Sequence, residues 1–142
     1  MPQARAGDVV SRRKGLVMHK GIALGDGRVL HNTPFRGEHI TSESEFRAGR
    51  RMYIESSDVE DRARTRRLAE SAVYENRNYH LLRNNCEHTV TRVTTGEPRS
   101  PQLHSWILGA GFAAATFALT RHPGAAAAAY AVGRGLSARL RR

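Results

Sequence analysis

The chain has 142 residues and a formal charge of +10, carried by 21 arginines and only two lysines against 13 acidic residues. A single cysteine excludes a disulfide framework, and 39% hydrophobic with 25% charged residues describes a folded domain rather than a disordered chain. Few aromatics and no zinc-finger or RNP-type spacing argue against a nucleic-acid partner. The arginine excess beside abundant alanine is consistent with a GC-rich coding sequence, and a basic surface also suits an anionic membrane face. The first fifteen residues lack an apolar leader core, which makes a cytoplasmic location the default expectation.

Residues 7–33 read as extended, with short apolar runs punctuated by glycine. Residues 34–57 read as loops with one more strand at Met52–Glu55. From Asp58 to about Tyr74 the pattern is helical, and Ser57 with Glu60 three residues later fits a capping box. The next helix is expected to begin near Asn85 or Cys86 and to end at Gly96, with Pro98 just beyond. Cys86, Val90 and Val93 then share one helical face. The chain ends in apolar, small-residue sequence: one helix over Trp106–Thr120, a break at Pro123–Gly124, and a second from about Ala125 to Leu136. Fifteen residues make about 22 Å of helix, short of the ~30 Å hydrocarbon core of a bilayer. The tail "RGLSARLRR" suits anionic headgroups.

Chemistry centres on "YHLLRNNCEHTVTRVTTG", Tyr79–Gly96, which holds the one thiol. Asn84 or Asn85 as N-cap puts Cys86 in the first turn, where unpaired backbone N–H groups favour a thiolate. A cysteine facing the core suits the same position. His88, two residues on, points away from the Cys86 face and reads as a structural hydrogen-bonder. His19 and His31 flank a hairpin. A two-residue Asp26-Gly27 loop puts them on opposite sheet faces, with Ile22 opposite His31. A three-residue Gly25–Gly27 loop pairs Leu24 with Arg28 and Gly21 with His31, and then Val17, His19, Gly21, Ala23, Val29 and His31 line one face. That face, otherwise made of small residues, leaves room for a helix to pack closely. Zinc is a poor match, because the ligand spacings of structural sites are absent.

Taken together, these segments resemble the lecithin:retinol acyltransferase-like (LRAT-like) proteins. "NNCEHTVTRVTTGEPRSPQ" is similar to their Asn-Cys-Glu-His block, and "GDVV", His19, "GIALGDGRVLH" and the twelve-residue step to His31 are similar to their N-terminal half. "DRARTRRLAESAVYENRNYHLLRNNCEH" resembles the helix and tyrosine that lead into the cysteine. The resemblance covers roughly residues 7–103. It implies an α+β class domain with a circularly permuted papain-like fold, in which a small antiparallel sheet packs against helices, one starting at the cysteine. It also implies catalytic roles: Cys86 as nucleophile, His19 as base, His31 as its orienter, and no cofactor or metal. Known members move an acyl group from a phospholipid to an alcohol, an amine or water. The chain departs from the pattern at Lys20, where many relatives carry an aromatic beside the first histidine, and at Thr89, where phenylalanine is common.

These readings divide the chain into an LRAT-like catalytic domain, 1–103, and a C-terminal apolar helical segment with a basic tail, 104–142. The segment is expected to associate with the membrane; packing on the domain or in an oligomer is the competing expectation. The leading functional expectation is a thiol-dependent acyltransferase or phospholipase acting on a phospholipid or other acyl donor. The alternatives are a papain-like cysteine peptidase or amidase, and a catalytically silent lipid-binding module.

Overall fold

The computed structural model describes residues 3–139. The chain divides into two compact units, Met1–Arg99 and Ser100–Arg142. The first holds strands β1 (Val9–Lys14), β2 (Val17–Gly25), β3 (Arg28–Thr33) and β4 (Gly37–Ser42), helix α1 (Glu43–Arg47), strand β5 (Met52–Glu55), and helices α2 (Val59–Glu75) and α3 (Cys86–Thr95). The second holds α4 (Pro101–Thr120) and α5 (Pro123–Arg139). The class is α+β.

The five strands form one antiparallel sheet in the order β4-β3-β2-β1-β5. The register of β2 with β3 decides which residues share a face. Gly21 pairs with His31, Ile22 with Leu30 and Ala23 with Val29, but Gly25, not Leu24, pairs with Arg28. The turn is thus the tight Asp26-Gly27 pair, both at positive φ. A bulge at Leu24 supplies the residue that a three-residue loop would have supplied. The resulting faces are those of the longer-loop reading, reached by a shorter loop.

One face buries Val9, Ile22, Leu24 and Leu30 against Ala69 and Ala72 of α2 and Val90 and Val93 of α3. Each fully buried large aliphatic contributes about 1.5–3 kcal/mol. Thr65, Ala69 and Ala72 form a small-residue stripe along α2, and most of the rest of that helix is exposed. The other face buries Val10, Ala23, Val29 and Phe46, the last carried by α1. Gly21 makes room there: a Cβ on it would meet the Leu30 carbonyl and Val29 Cγ1 at 2.7 Å and the Phe46 ring at 3.1 Å. The small-residue face is therefore covered by Phe46. Helix α3 packs on the aliphatic face instead, where its valines have partners.

Three local expectations need correction. Residues 37–47 are a strand and a short helix rather than loop, α1 being closed by a capping box between Ser42 and Glu45. Helix α2 has Asp58 as N-cap with no side-chain cap bond; Ser57 lies outside it, its carbonyl accepting from Arg62 at 2.7 Å. Helix α4 starts at Pro101, five residues early, and its 20 residues span about 30 Å. It is long and apolar enough to cross a membrane.

In the second unit, small residues recur four apart on each helix: Ser105 and Gly109 on α4, Gly133 and Ser137 on α5, all buried. A Cβ on Gly133 would meet the Leu108 carbonyl at 2.9 Å and Gly109 Cα at 3.1 Å, so the two backbones touch. Arg134 donates to Ser105 Oγ at 3.3 Å and lies over the Tyr130 ring. Ile107, Phe112, Phe117, Leu119, Val132 and Leu136 remain exposed on this unit. Residues 140–142 of the basic tail lie outside the described residues.

Candidate active site

His19 on β2 and His31 on β3 lie on one sheet face, both buried, with His19 Nε2 2.9 Å from His31 Nδ1. The far nitrogen of His31, Nε2, is 3.0 Å from Thr41 Oγ1 on β4. Phe46 stacks on His19 and meets His31 edge-on, each at 5.4 Å between centroids. His39, paired with His31 across β3–β4, brings a third ring to 4.3 Å from His31. Its Nδ1 donates to the Gly37 carbonyl at 2.8 Å, which fixes its tautomer.

Cys86 arrives from the other side of the sheet at the end of α3. The pairing of β2 with β3 stops at Gly21↔His31, although both strands continue. Beyond that pair the strands part, and the entry to α3 occupies the gap. The amide of Ala23 bonds Asp8 on the β1 side, so by alternation the Lys20 amide points toward β3. With no strand partner there, it donates to the Cys86 sulfur, as does the Glu87 amide at the helix start. Asn32 Nδ2 donates to the Asn84 carbonyl at 2.9 Å, holding the same loop from the β3 side. The thiol thus sits on the amide of the residue that follows His19.

The helix start is fixed by Asn85, whose Oδ1 accepts from the Glu87 and His88 amides at 2.9 and 3.1 Å. His88 Nδ1 accepts from the Asn85 amide in return, so His88 is a capping group as the spacing predicts. Lys20 Nζ pairs with Glu87 at 3.4 Å, tying β2 to the first turn. Deeper in, Glu38 of β4 is fully buried; it accepts from Thr89 Oγ1 at 2.7 Å and is ion-paired with Arg92. Asn32 Nδ2 also donates to Thr89 at 3.1 Å. Thr89 occupies the place where phenylalanine is common, and its hydroxyl has become part of a polar clamp.

Electrostatics set the resting protonation. Burial first, then the positive field of Arg12, Lys14 and His39, lowers the His19 pKa to about 4. Burial, with His19, His39, Arg12 and Arg36, lowers that of His31 to about 3. Burial raises the Cys86 thiol above its ordinary value, opposed by the two amides and Lys20. At neutral pH the site holds uncharged imidazoles and a protonated thiol rather than a preformed ion pair. Among the described residues no cluster of three or more His, Cys, Asp or Glu side chains is arranged to hold a metal ion.

Sequence reasoning missed Arg12, Thr41, His39 and Phe46. The first three would emerge from pairing β1 and β4 onto the hairpin. Phe46 had a local signal in the Ser42–Glu45 capping box that precedes it.

No curated protein gives a significant match to the chain. The family model described as lecithin retinol acyltransferase matches residues 2–99. This covers the first unit, with every strand and the cysteine-bearing helix, and the chain belongs to the lecithin retinol acyltransferase family, whose chemistry is that of acyltransferases and thiol hydrolases.

Proposed function

We propose that the protein takes an acyl group from a membrane lipid onto Cys86 as a thioester and passes it to water or another acceptor. The observation that carries this reading is the His19–His31 bond of 2.9 Å beside a thiol seated on the Lys20 amide. One tautomer set uses every contact: His19 Nε2–H donates to His31 Nδ1, and His31 Nε2–H donates to Thr41 Oγ1. It leaves the His19 Nδ1 lone pair free to act as the base.

Chemistry follows in balanced steps. His19 Nδ1 accepts the Cys86 proton as the sulfur attacks the ester carbonyl, and a C–S bond forms. The oxyanion is stabilised by backbone N–H groups at the start of α3 and by the Lys20 amide. Collapse expels the alkoxide, which takes the proton from His19. The acceptor then loses its proton to His19, attacks the thioester and releases the thiol. His31 holds the imidazolium tautomer throughout. Because the resting pair is uncharged, proton transfer accompanies attack rather than preceding it.

The helical pair of the second unit brings this chemistry to lipid. Helix α4 has the length of a bilayer core, and the small-residue seam with apolar outer positions is the packing style of helices in membranes. The catalytic reading is tested by intact mass after incubation with mixed phospholipid vesicles, with free fatty acid measured in the same tubes. A hydroxylamine-sensitive gain of one acyl chain, or fatty acid release, is expected in the native protein and not in Cys86→Ala. Silence in both measurements would refute it.

A further inference from the structure

The cavity beside α1 and β5 has no role in the acyl chemistry described so far. It measures about 680 Å³ and is lined by Arg47, Gly49, Arg50, Arg51, Met52, Tyr53 and Ile54. No carboxylate is among its lining residues. Arg47 is paired with Glu43 at 2.6 Å, but the side chains of Arg50 and Arg51 have no carboxylate partner among the described residues, and Arg51 lies over the Tyr53 ring. Three arginines in nine residues of chain, two of them unneutralised around a concavity, make a local positive potential that attracts an anion.

Position gives that potential a use. In the sheet register Met52 pairs with Arg12, and Arg12 pairs with His19. Met52, Arg12 and His19 therefore stand in one row across β5, β1 and β2, on the face that carries the histidines. Adjacent strands are about 4.8 Å apart, so the cavity wall lies about 10 Å from the base, with Arg12 midway. Arg12 is held by its Nε on the Phe46 carbonyl and lies over the Phe46 ring. Its two terminal nitrogens have no hydrogen-bond partner among the described residues. Arg50 is close enough to Arg12 to repel its charge. Guanidinium groups suit phosphate because their forked donors match its oxygens.

We infer that Arg12, Arg50 and Arg51, at the cavity beside β5, bind the phosphate of the acyl donor while its carbonyl lies at Cys86. The inference rests on the acyl-transfer reading above and narrows the donor to a phosphate-bearing one. A glycerophospholipid and an acyl-coenzyme A both meet that requirement; the shared chemistry is the phosphate, and the experiment separates the two.

The test has two arms. In the first, glycerol 3-phosphate is titrated into full-length Cys86→Ala protein labelled at arginine, and the Nε–Hε resonances are followed. Saturable shifts of the Arg12, Arg50 and Arg51 signals are expected; none in the doubly substituted Arg50→Gln/Arg51→Gln protein should remain. In the second, kcat/KM is measured for dihexanoyl-phosphatidylcholine, hexanoyl-coenzyme A and a phosphate-free hexanoyl thioester. The glutamine pair should lower the ratio of phosphate-bearing to phosphate-free donor about tenfold or more, and the lysine pair should lower it less, because charge is kept and the fork is lost. The phosphate donor whose ratio falls further is the one the cavity serves. Both positions are exposed, so far-UV circular dichroism should show both variants folded. Absent arginine shifts, or ratios that the glutamine pair leaves unchanged, would overturn the subsite. Saturable shifts in a protein that forms no acyl-enzyme and releases no fatty acid would instead overturn the catalytic reading and leave the phosphate site standing.

Discussion

The two faces of the sheet are built from alternate residues of the same strands, yet they do different work. Toward α2 and α3 the sheet presents aliphatic side chains and one polar clamp, Glu38–Thr89–Arg92, with Asn32 beside it. Toward α1 it presents His19, His31, His39, Thr41 and Arg12, with Phe46 as the main apolar cover. Neighbours in sequence are split between them: His31 from Asn32, His39 from Glu38, His19 from Lys20. One face holds α3 in place and the other receives its cysteine, so a one-residue slip in register would exchange anchor and reagent on every strand.

If that division holds, substitutions on the histidine face should affect rate far more than stability. His19→Gln removes the base and is expected to lower kcat/KM about 10²–10⁴-fold, while the midpoint of chemical denaturation at pH 7 changes little; steady-state kinetics beside a denaturant titration checks both. On the opposite face Arg92→Met leaves the Glu38 carboxylate buried without its ion partner and should cost about 3–5 kcal/mol of unfolding free energy. Loss of rate from Arg92→Met in protein still fully folded would show that the clamp also sets the position of Cys86.

A pH series sharpens the contrast. Both site histidines have folded pKa values below their ordinary 6.5, about 4 for His19 and about 3 for His31. Between those values and 6.5 the unfolded chain binds more protons, so stability falls as pH falls. Denaturant titrations at pH 7 and pH 4.5 should differ by about 2–3 kcal/mol through His19 alone, and His19→Gln should remove that share. An unchanged pH slope in that variant would mean that His19 is not buried as a neutral ring. The smallest effect belongs to the junction of the two faces. Asn85→Ala removes the cap over Cys86 and should cost about 0.5–2 kcal/mol. The pH dependence of iodoacetamide alkylation should then move upward, since the cap no longer orients the amides at the thiol.

Much of this was legible in the sequence because it depended on local chemistry. The Asn85 cap, the Gly96 stop, the extended first third and the pairing of Gly21 with His31 follow from turn and helix-end residues. Strand β4 was not legible because its pattern carries no alternation of apolar and polar residues: Glu38 is buried by an ion pair and His39 by its place in the histidine cluster, leaving Ile40 as its one aliphatic. The helix that covers the histidines was also misplaced. Small residues at Gly21 and Ala23 suggested close packing of α3, whereas their space is taken by Phe46, brought from twenty-odd residues downstream by a strand and a short helix. Helix α4 was read short because glycine and alanine dilute its hydrophobicity, although Pro101 marked its true start.

The parting of β2 from β3 has a consequence for how the protein senses its own turnover. The Lys20 amide, one residue from the base, has a sulfur where a strand carbonyl would normally stand. Acylation or oxidation of that sulfur withdraws electron density from the acceptor and weakens its hold on the strand end. Each catalytic cycle therefore loosens and retightens the tip of β2, and hydrogen exchange at this single amide would report, turnover by turn, whether the nucleophile is free or occupied.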